Sequence, residues 1–332
     1  MKRAAYCVLL LAMLSLPWWL RDEYYINLAS QILIAALFAI SLNLKVGYAG
    51  LISLGHAGYL GMAAYTSGWL VLNLHWGHLP AALCALGATT AMAAVFGLIA
   101  LRASGLGFLM ITLALGQILW GIAFRWASVT GGDNGLTGIT RPHPFGLDLS
   151  HAPAFYYFTL AVFLLIWILV AVWVNSPFGA SIKGTRDQPR RMSALGYNVW
   201  LIRWTTFVVS GFFAAAAGLM FVYYQQFISP ESLSLTNSAE MLLMVIAGGA
   251  GSLFGPVAGA VLVVLLKSVA STYVHRWIML LGFSFLIIVL FVPGGIVPGL
   301  ARLTRSLRRS EPPPSSRPPG TKAARRTAKE AP

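Results

Sequence analysis

Apolar residues occur in long runs along the whole chain, and short polar segments separate these runs. The runs cover residues 5–20, 26–44, 50–73, 80–101, 106–125, 155–175, 204–225, 238–255, 257–274 and 277–297. A helix crosses about 30 Å of hydrocarbon with roughly 20 residues, because each residue adds about 1.5 Å along the helix axis. The pattern therefore predicts about ten membrane-spanning helices.

The first run has one feature of a secretory signal peptide, since Lys2 and Arg3 precede it. No small-residue cleavage site follows Trp18 and Trp19, and the next apolar run begins shortly afterwards. We therefore interpret the first run as a membrane helix.

Composition agrees with this interpretation, because 58% of the residues are hydrophobic, 10% are charged and the mean hydropathy is +0.75. The hydrophobic fraction and the hydropathy exceed those of most water-soluble domains, and the charged fraction lies below theirs. We predict an all-α, polytopic integral membrane protein with one transmembrane domain over residues 1–300, which leaves room for broken or re-entrant segments. Cys7 and Cys84 both lie in apolar runs, so neither a disulfide framework nor a metal cluster is indicated.

Basic residues are concentrated in two segments. Residues 176–203 contain five basic residues and one acid, and residues 301–332 contain nine basic residues and two acids. Because basic residues in short loops are retained on the cytoplasmic side, both segments and both termini are expected in the cytoplasm. Residues 126–154 contain Arg141 as their single Lys or Arg and are expected to face outward.

The C-terminal segment 301–332 is rich in Pro, Ser, Lys and Arg and almost free of apolar residues. It cannot bury enough surface to fold, so we expect a disordered tail. Its charge favours contact with anionic membrane lipid. Nucleic-acid binding is disfavoured, since no aromatic residues alternate with the basic ones.

The segment 176–200 is unusually polar and long for a connection between two membrane helices. Ser176-Pro177 marks the end of one span, Gly179 is expected to permit a turn, and residues 181–195 are expected to form a short helix that stops at Gly196. Two interpretations remain open. The segment is either a solvated positive-inside loop that only fixes topology, or a surface that contacts a partner.

Glycines cluster at two places in the apolar runs. The first cluster lies where the second run ends and the third begins, and it contains Gly47, Gly50, Gly55, Gly58 and Gly61. Residues without Cβ either allow helices to pack closely, which we favour here, or allow a helix to break and expose its backbone. Gly251, Gly255 and Gly259 lie on one face of a continuous helix or on both sides of a re-entrant turn. For these we favour a turn near Gly248–Pro256.

Few polar side chains lie at membrane depth, where they are costly and therefore often functional. They are Asn43, Lys45, His56, Gln117, Glu240 and Lys267. His56 is either a neutral imidazole bonded to a neighbouring helix or part of a transport pathway. Lys45, Glu240 and Lys267 lie near span ends, where their side chains are expected to reach the membrane surface.

The sequence contains no recognisable catalytic motif. It lacks the phosphate-binding loop G-x-x-x-x-G-K-[ST], and it also lacks H-E-x-x-H and G-x-S-x-G. We therefore expect neither ATP hydrolysis nor another catalytic activity, and no cofactor. His75 and His78 have no further metal ligands nearby in the sequence, so no metal site is expected.

Six blocks in order resemble one family over about residues 30 to 300. The blocks are SLNLKVGYAGLISLGHAGYLGMAAY (41–65), TGGDNGLTGI (130–139), SPFGASIKGTRDQPRRMSALG (176–196), SGFFAAAAGLMFVYY (210–224), SAEMLLMVIAGGAGSLFGPVAGA (238–260) and LFVPGGIVPGL (290–300). They look like the branched-chain amino acid ABC transporter permeases of the M-subunit type.

This resemblance implies a multi-pass permease of the bacterial inner membrane that carries leucine, isoleucine, valine or related small amino acids. The implied partners are a homologous permease subunit, two cytoplasmic ABC ATPase subunits and an extracytoplasmic substrate-binding protein. The implied ATPase-coupling residues are Gly179, Arg186, Asp187, Ala194, Leu195 and Gly196. The implied substrate pathway contains Asn43, Gly47, Gly50, Gly55 and His56.

Two departures from the family pattern affect these expectations. Gln188 and Pro189 stand where the family tends to have an acidic, alanine-rich stretch, so the docking helix is expected to begin near Pro189. Leu51 stands where the family often has a polar amide, which weakens the expectation of polar substrate contacts there.

Three other functions remain open from the sequence. The first is a permease of the same family for urea or short amides. The second is a stand-alone secondary transporter, which needs its own coupling-ion sites. The third is a membrane enzyme that uses His56 or the region His143–His151, and it predicts activity without partners.

Overall fold

The computed structural model describes residues 13–19, 22–143 and 148–273, together with residues 279, 282, 283, 286, 295, 296 and 299. The predicted spans 5–20 and 277–297 therefore lie largely outside the described residues. The predicted tail 301–332 lies wholly outside them.

The described chain is almost entirely helical. Its helices are α1 (13–19), α2 (Glu23–Asn43), α3 (Ala57–Asn73), α4 (His78–Ala100), α5 (Leu106–Arg125), α6 (Ala127–Thr130), α7 (Ala152–Asn175), α8 (Pro177–Asp187), α9 (Pro189–Ala194), α10 (Val199–Gln225), α11 (Leu235–Gly248) and α12 (Gly255–Tyr273). A π-helix, Leu44–Tyr48, continues α2, and 3₁₀ turns cover Gly132–Asn134 and Pro230–Leu233. Two short strands, β1 (Leu136–Thr137) and β2 (Phe227–Ile228), pair antiparallel.

Five of the described helices are long and apolar enough to cross a membrane: α2 with its π-helix, α4, α5, α7 and α10. They correspond to the predicted runs 26–44, 80–101, 106–125, 155–175 and 204–225. Helices α11 and α12 are apolar but shorter, and the described residues do not establish the predicted number of ten.

Two predicted spans have wrong boundaries. The run 50–73 is not one helix, because residues 50–56 are non-helical and α3 begins at Ala57. The run 238–255 ends early, because α11 stops at Gly248. Apolar composition predicted continuous helices here, whereas glycines let the backbone leave the helix.

Helices α2 and α10 form the centre of the bundle. About two thirds of each is buried, whereas α4 and α5 bury only about a fifth. Helix α10 packs against α2, α3 and α4, and α2 also packs against α7, α11 and α12. Gly218 brings α10 against the backbone of Leu60 in α3, where a Cβ would collide with the Leu60 carbonyl oxygen. Small residues thus allow close packing at the centre.

The bundle has two ends, which we name by their connections. The coupling end carries residues 176–198 between α7 and α10. The loop end carries residues 126–151 between α5 and α7. Here β1 pairs with β2, with Leu136 opposite Ile228. Gly135 has a φ of +66°, and a Cβ on it would collide with the Ile228 carbonyl oxygen, so the TGGDNG stretch needs glycine to reach its partner strand.

Helices α11 and α12 form a tight hairpin that turns at residues 249–254. Gly249 and Gly251 have positive φ values of 115° and 81°. The two helices then pack through glycine, since a Cβ on Gly248 would collide with the Gly255 carbonyl oxygen and one on Gly259 with that of Met244. The predicted turn near Gly248–Pro256 is confirmed.

We predict that Gly259→Ala destabilises the protein, because the added methyl group has no space between α11 and α12. Overpacking of this kind costs about 1–3 kcal/mol. The measurement is the melting temperature of the detergent-purified protein. Gly121→Ala in α5 is the matched control, since its Cβ would contact nothing within 4 Å. Equal melting temperatures for the two variants would contradict the close packing of this hairpin.

Candidate functional site

The coupling segment, residues 176–198, contains two short helices instead of the single predicted helix at 181–195. Ser176 caps α8, because its Oγ accepts a hydrogen bond of 3.2 Å from the Gly179 N–H, and Pro177 occupies the first helical turn. The chain breaks at Gln188, and Pro189 opens α9. The expectation that a docking helix begins near Pro189 thus agrees with α9, but an additional helix precedes it.

Gly179 does not permit a turn as predicted. It lies inside α8 and is buried, and a Cβ on it would collide with the carbonyl oxygen of Val174. Its missing side chain instead lets α8 fold back against the last turn of α7. The Ser176-Pro177 pair correctly predicted where the chain bends, but the role predicted for Gly179 was wrong.

The end of α9 is the most exposed part of the coupling segment. The Gly196 N–H donates to the Ser193 carbonyl oxygen at 3.0 Å, and the Tyr197 N–H donates to that of Met192 at 3.1 Å. This is a Schellman ending, in which Gly196 takes the left-handed conformation with a φ of +86°. The predicted helix stop at Gly196 is confirmed. Ala194 is exposed, and Leu195 is 67% exposed, which leaves an apolar surface without a partner among the described residues.

Arg186 joins the coupling segment to the centre of the bundle. Its Nη1 donates a hydrogen bond to the Gly47 carbonyl oxygen in the π-helix, and its Nε lies 2.8 Å from Asp187 Oδ1. Its aliphatic stem lies against Gly50, where a Cβ would be 2.7 Å from Arg186 Cγ. The sequence placed the arginine in the coupling segment but contained no signal for its contact 139 residues away.

The π-helix and the turn at 249–254 contact each other beside Arg186. Asn43 Oδ1 accepts a hydrogen bond of 2.9 Å from the Gly251 N–H, and Asn43 Nδ2 donates one of 2.9 Å to the Ser252 carbonyl oxygen. Gly47 lies so close that a Cβ would collide with Asn43 Oδ1 and with the Gly251 nitrogen. We call Asn43, Gly47, Gly50, Gly251 and Ser252 the junction. A single π-helical turn often marks a functional position in a helix.

His56 and Gly55 lie deeper in the bundle than the junction. His56 is fully buried, its Nε2 shares a hydrogen bond of 2.8 Å with Ser41 Oγ, and its ring stacks on Phe38 at 5.0 Å. A Cβ on Gly55 would collide with the Thr112 carbonyl oxygen. The five predicted pathway residues therefore form two groups, and four of them are buried while Gly50 is exposed.

The prediction that Lys45 reaches the membrane surface is wrong. Its side chain is fully buried, and Nζ lies 4.2 Å from the ring centre of Phe207 and 4.5 Å from that of Tyr59. Nζ has no hydrogen-bond partner among the described residues and lies over the faces of these two rings. No sequence signal places α3 and α10 around this lysine.

Glu240 and Lys267, both expected to reach the membrane surface, contact each other in a way that the sequence did not predict. Lys267 Nζ lies 3.2 Å and 3.1 Å from the two carboxylate oxygens of Glu240, so the residues form an ion pair between α11 and α12. The side chain of Glu240 is only 11% exposed, and that of Lys267 is 36% exposed.

The histidines of the loop end lie at the surface. His143 Nδ1 is 3.9 Å from Asp148 Oδ1, and both side chains are 58% exposed. Hydrogen bonds from Ser150 to the Asp148 carboxylate hold the pKa of Asp148 below its usual range. These contacts are typical of side chains in an exposed surface loop.

We predict that Asn43→Ala loosens the junction. The substitution removes both side-chain hydrogen bonds and leaves the Gly251 N–H and the Ser252 carbonyl oxygen unsatisfied, at a cost of about 1–3 kcal/mol for each buried group. The melting temperature should fall by several degrees. Asn73→Ala is the control, because Asn73 makes only an exposed 3.4 Å contact with the Trp69 carbonyl oxygen. A melting temperature unchanged from wild type would contradict a structural role for Asn43.

The chain matches the model of a protein family described as "Branched-chain amino acid transport system / permease component" over residues 24–292. Relatives include the "High-affinity branched-chain amino acid transport system permease protein LivM" of Salmonella typhimurium, which is 28% identical over 82% of this chain and 70% of its own length. The protein of the same name from Escherichia coli is 27% identical over 90% of this chain and 75% of its own length. No solved structure matches the chain significantly.

The match covers most of the chain, and the relatives are transport permease subunits, which are not enzymes. A "Probable branched-chain amino acid transport permease protein LivM" of Methanocaldococcus jannaschii is also similar, at 23% identity over 47% of this chain and 49% of its own length. Together with its long apolar helices, the match makes the chain an integral membrane transport subunit without catalytic activity. It belongs to the permease component family of branched-chain amino acid transport systems.

Proposed function

We propose that this chain is one permease subunit of an ABC importer, which carries branched-chain amino acids across the bacterial inner membrane. The observation that carries the proposal is the hydrogen bond from Arg186 to Gly47, because it connects the exposed coupling segment to the π-helix that continues the central helix α2. A loop that only fixed topology would not need such a contact.

In this proposal, separate ATPase subunits supply the energy for transport. The sequence has no phosphate-binding loop, whereas α9 ends in an exposed apolar surface at Leu195 and Tyr197. We infer that Ala194, Leu195 and Gly196 dock into a cleft on one of two ATPase subunits. A homologous permease completes the pore, and an extracytoplasmic binding protein delivers the substrate.

The proposed orientation follows from charge. The coupling end, with its basic residues, faces the cytoplasm, and the loop end faces outward. Both termini lie in the cytoplasm, residues 1–300 form the transmembrane domain, and the basic tail 301–332 lies against anionic lipid.

The contacts of the coupling segment suggest how movement passes to the pore. Displacement of α9 by the ATPase moves α8, which Arg203 also ties to α10 through a 3.1 Å hydrogen bond to the Thr185 carbonyl oxygen. Arg186 transmits the displacement to Gly47 and the junction. Separation of the π-helix from the turn at 249–254 then opens the pathway beside Asn43, Gly47 and Gly50, and deeper at Gly55 and His56.

The test is reconstitution of this chain in liposomes with the homologous permease, the ATPases and the binding protein. We expect leucine uptake that requires ATP and loaded binding protein. Uptake by this chain alone, driven by an ion gradient, would instead establish a secondary transporter. A ligand panel on the binding protein decides the substrate class, and binding of urea without leucine would refute the amino-acid assignment.

We predict that Gly196→Val abolishes uptake and weakens ATPase association while the protein remains inserted and abundant. A β-branched residue in the left-handed conformation is strained by roughly 1–2 kcal/mol, so the end of α9 must change shape. Gly196→Asn should retain uptake, since asparagine tolerates this conformation. Co-purification of the ATPase measures association.

Two controls accompany Gly196→Val. Gly138→Val imposes the same kind of strain at the loop end, since Gly138 has a φ of +84° and open space around its Cβ. It should leave ATPase association intact, and Arg325→Ala in the tail should have little effect. Normal uptake and ATPase association in Gly196→Val would mean that the segment is only a topological loop.

We predict that Arg186→Met uncouples transport without preventing assembly. Methionine keeps an aliphatic stem against Gly50 but loses the hydrogen bond to Gly47, and a hydrogen bond from a charged group is worth about 1.5–3 kcal/mol. Leucine uptake should fall by about tenfold or more, and loaded binding protein should no longer stimulate ATP hydrolysis. Arg191→Met, in the exposed part of α9, is the control. Uptake at the wild-type rate in Arg186→Met would exclude Arg186 as the link.

A further inference from the structure

We propose that the Glu240–Lys267 ion pair binds the zwitterionic head group of a free α-amino acid, whose aliphatic side chain enters an adjacent apolar chamber. The proposal rests on the proposed function and names a binding site for its substrate class. It concerns residues outside both the coupling segment and the pathway residues predicted from the sequence.

The chamber lies between α2, α3, α10, α11 and α12, with a cavity volume of about 80 Å³. One water needs about 10–15 Å³ by this measure, so the chamber has room for several. Its apolar wall consists of Ile34, Phe38, Leu60, Phe221, Met241 and Met244. Glu240, Lys267, Gln31 and Asn237 supply the polar part of the lining.

A second, wider cleft of about 300 Å³ adjoins the chamber. The two share Gln31, Tyr224, Val264 and Lys267. The cleft is further lined by Tyr24 and Ser268, which are joined by a hydrogen bond of 2.7 Å between their hydroxyl groups. These residues lie near the start of α2 and the end of α12, so the cleft opens toward the loop end. A ligand from that side meets Lys267 at the entrance to the chamber.

The two charges of the ion pair are complementary to the ammonium and carboxylate groups of an amino acid. A ligand ammonium group at Glu240 and a ligand carboxylate at Lys267 replace one ion pair by two, and neither protein charge loses a partner. A lone cation or anion would leave one side chain uncompensated in a partly desolvated site, which is costly. Urea carries no charge and would have to compete with the existing ion pair.

The apolar wall explains why the ligand side chain would be aliphatic. Methionines adapt to branched side chains of different shape, and Met241 and Met244 form one side of the chamber. Phe38 lies at the inner end, where its other face stacks on His56. The packed rings of Phe38 and His56 thus lie between the chamber and the junction, and the wider cleft adjoins it on the side of the loop end.

A purely structural role for the ion pair is the competing explanation, and a double variant separates the two. Glu240→Gln/Lys267→Met removes both charges while keeping side chains of similar size, and loss of a whole buried pair is often neutral for stability. The reconstituted complete transporter is assayed for leucine uptake and for ATP hydrolysis stimulated by loaded binding protein. Glu231→Gln, an exposed acid of the same end, is the control.

We expect leucine uptake by the double variant to fall at least tenfold while stimulated ATP hydrolysis is retained, and the control to equal wild type. Wild-type uptake by the double variant would show that the pair is structural and overturn the proposal. If the wild-type transporter itself shows no ATP-dependent leucine uptake, the proposed function fails instead.

A binding measurement tests the site independently of transport. The purified transporter, without binding protein, is melted with millimolar L-leucine, leucinamide, 4-methylpentanoate or urea. We expect L-leucine alone to raise the melting temperature, and the double variant to lose this response. Stabilisation by urea or by either singly charged analogue equal to that by leucine, or no response to leucine, would overturn the proposal.

Discussion

Two breaks in the helices lie against each other inside the bundle, and hydrocarbon offers no partner for the backbone groups that such breaks expose. Asn43 meets this requirement, because one amide side chain both accepts from Gly251 and donates to Ser252. Gly47 allows the approach, since any side chain there would displace the asparagine. The turn at 249–254 is stable at this depth because Asn43 satisfies two of its backbone groups, while in segment 49–56 the Leu51 N–H donates to the Lys45 carbonyl oxygen at 2.8 Å.

The position of Arg186 depends on the same arrangement. Gly47 lies near the end of the π-helix, where carbonyl oxygens lack a partner within the helix, and the guanidinium group of Arg186 binds its carbonyl oxygen. The coupling segment thereby contacts a place where the π-helix and the turn at 249–254 meet. Irregular backbone can change conformation at lower cost than a continuous helix, so this is where a displacement of the segment has the greatest effect.

Much of the fold was predictable from the sequence, because burial in lipid requires long apolar runs. These runs located α2, α4, α5, α7 and α10 to within a few residues. The boundaries of α3 and α11 were predicted wrongly, since glycine-rich apolar stretches have the same hydropathy whether they are helical or not. The spacing of Gly251, Gly255 and Gly259 was compatible with a continuous helix or with a turn, and the favoured turn is the one observed between α11 and α12.

The polar positions were less predictable, because their roles depend on which helices pack together. Proximity to a predicted span end suggested that Lys45, Glu240 and Lys267 reach water, yet Lys45 is enclosed by residues from α3 and α10. The ion pair joins residues 27 positions apart, and the Arg186 contact joins residues 139 positions apart. The Schellman ending at Gly196 was predictable, since it depends on local backbone conformation alone.

The burial of Lys45 has a mechanical consequence. The neighbouring hydrogen bond from Ser210 Oγ to the Ser41 carbonyl oxygen, at 2.6 Å, weakens steeply when its angle changes. The contacts of the Lys45 amine with the faces of Tyr59 and Phe207 have no single required direction. A small rotation of α10 about α2 therefore breaks the first contact and only gradually weakens the second. The lysine side chain therefore joins the π-helix to α3 and α10 through contacts that constrain the helix angle less tightly than a hydrogen bond does.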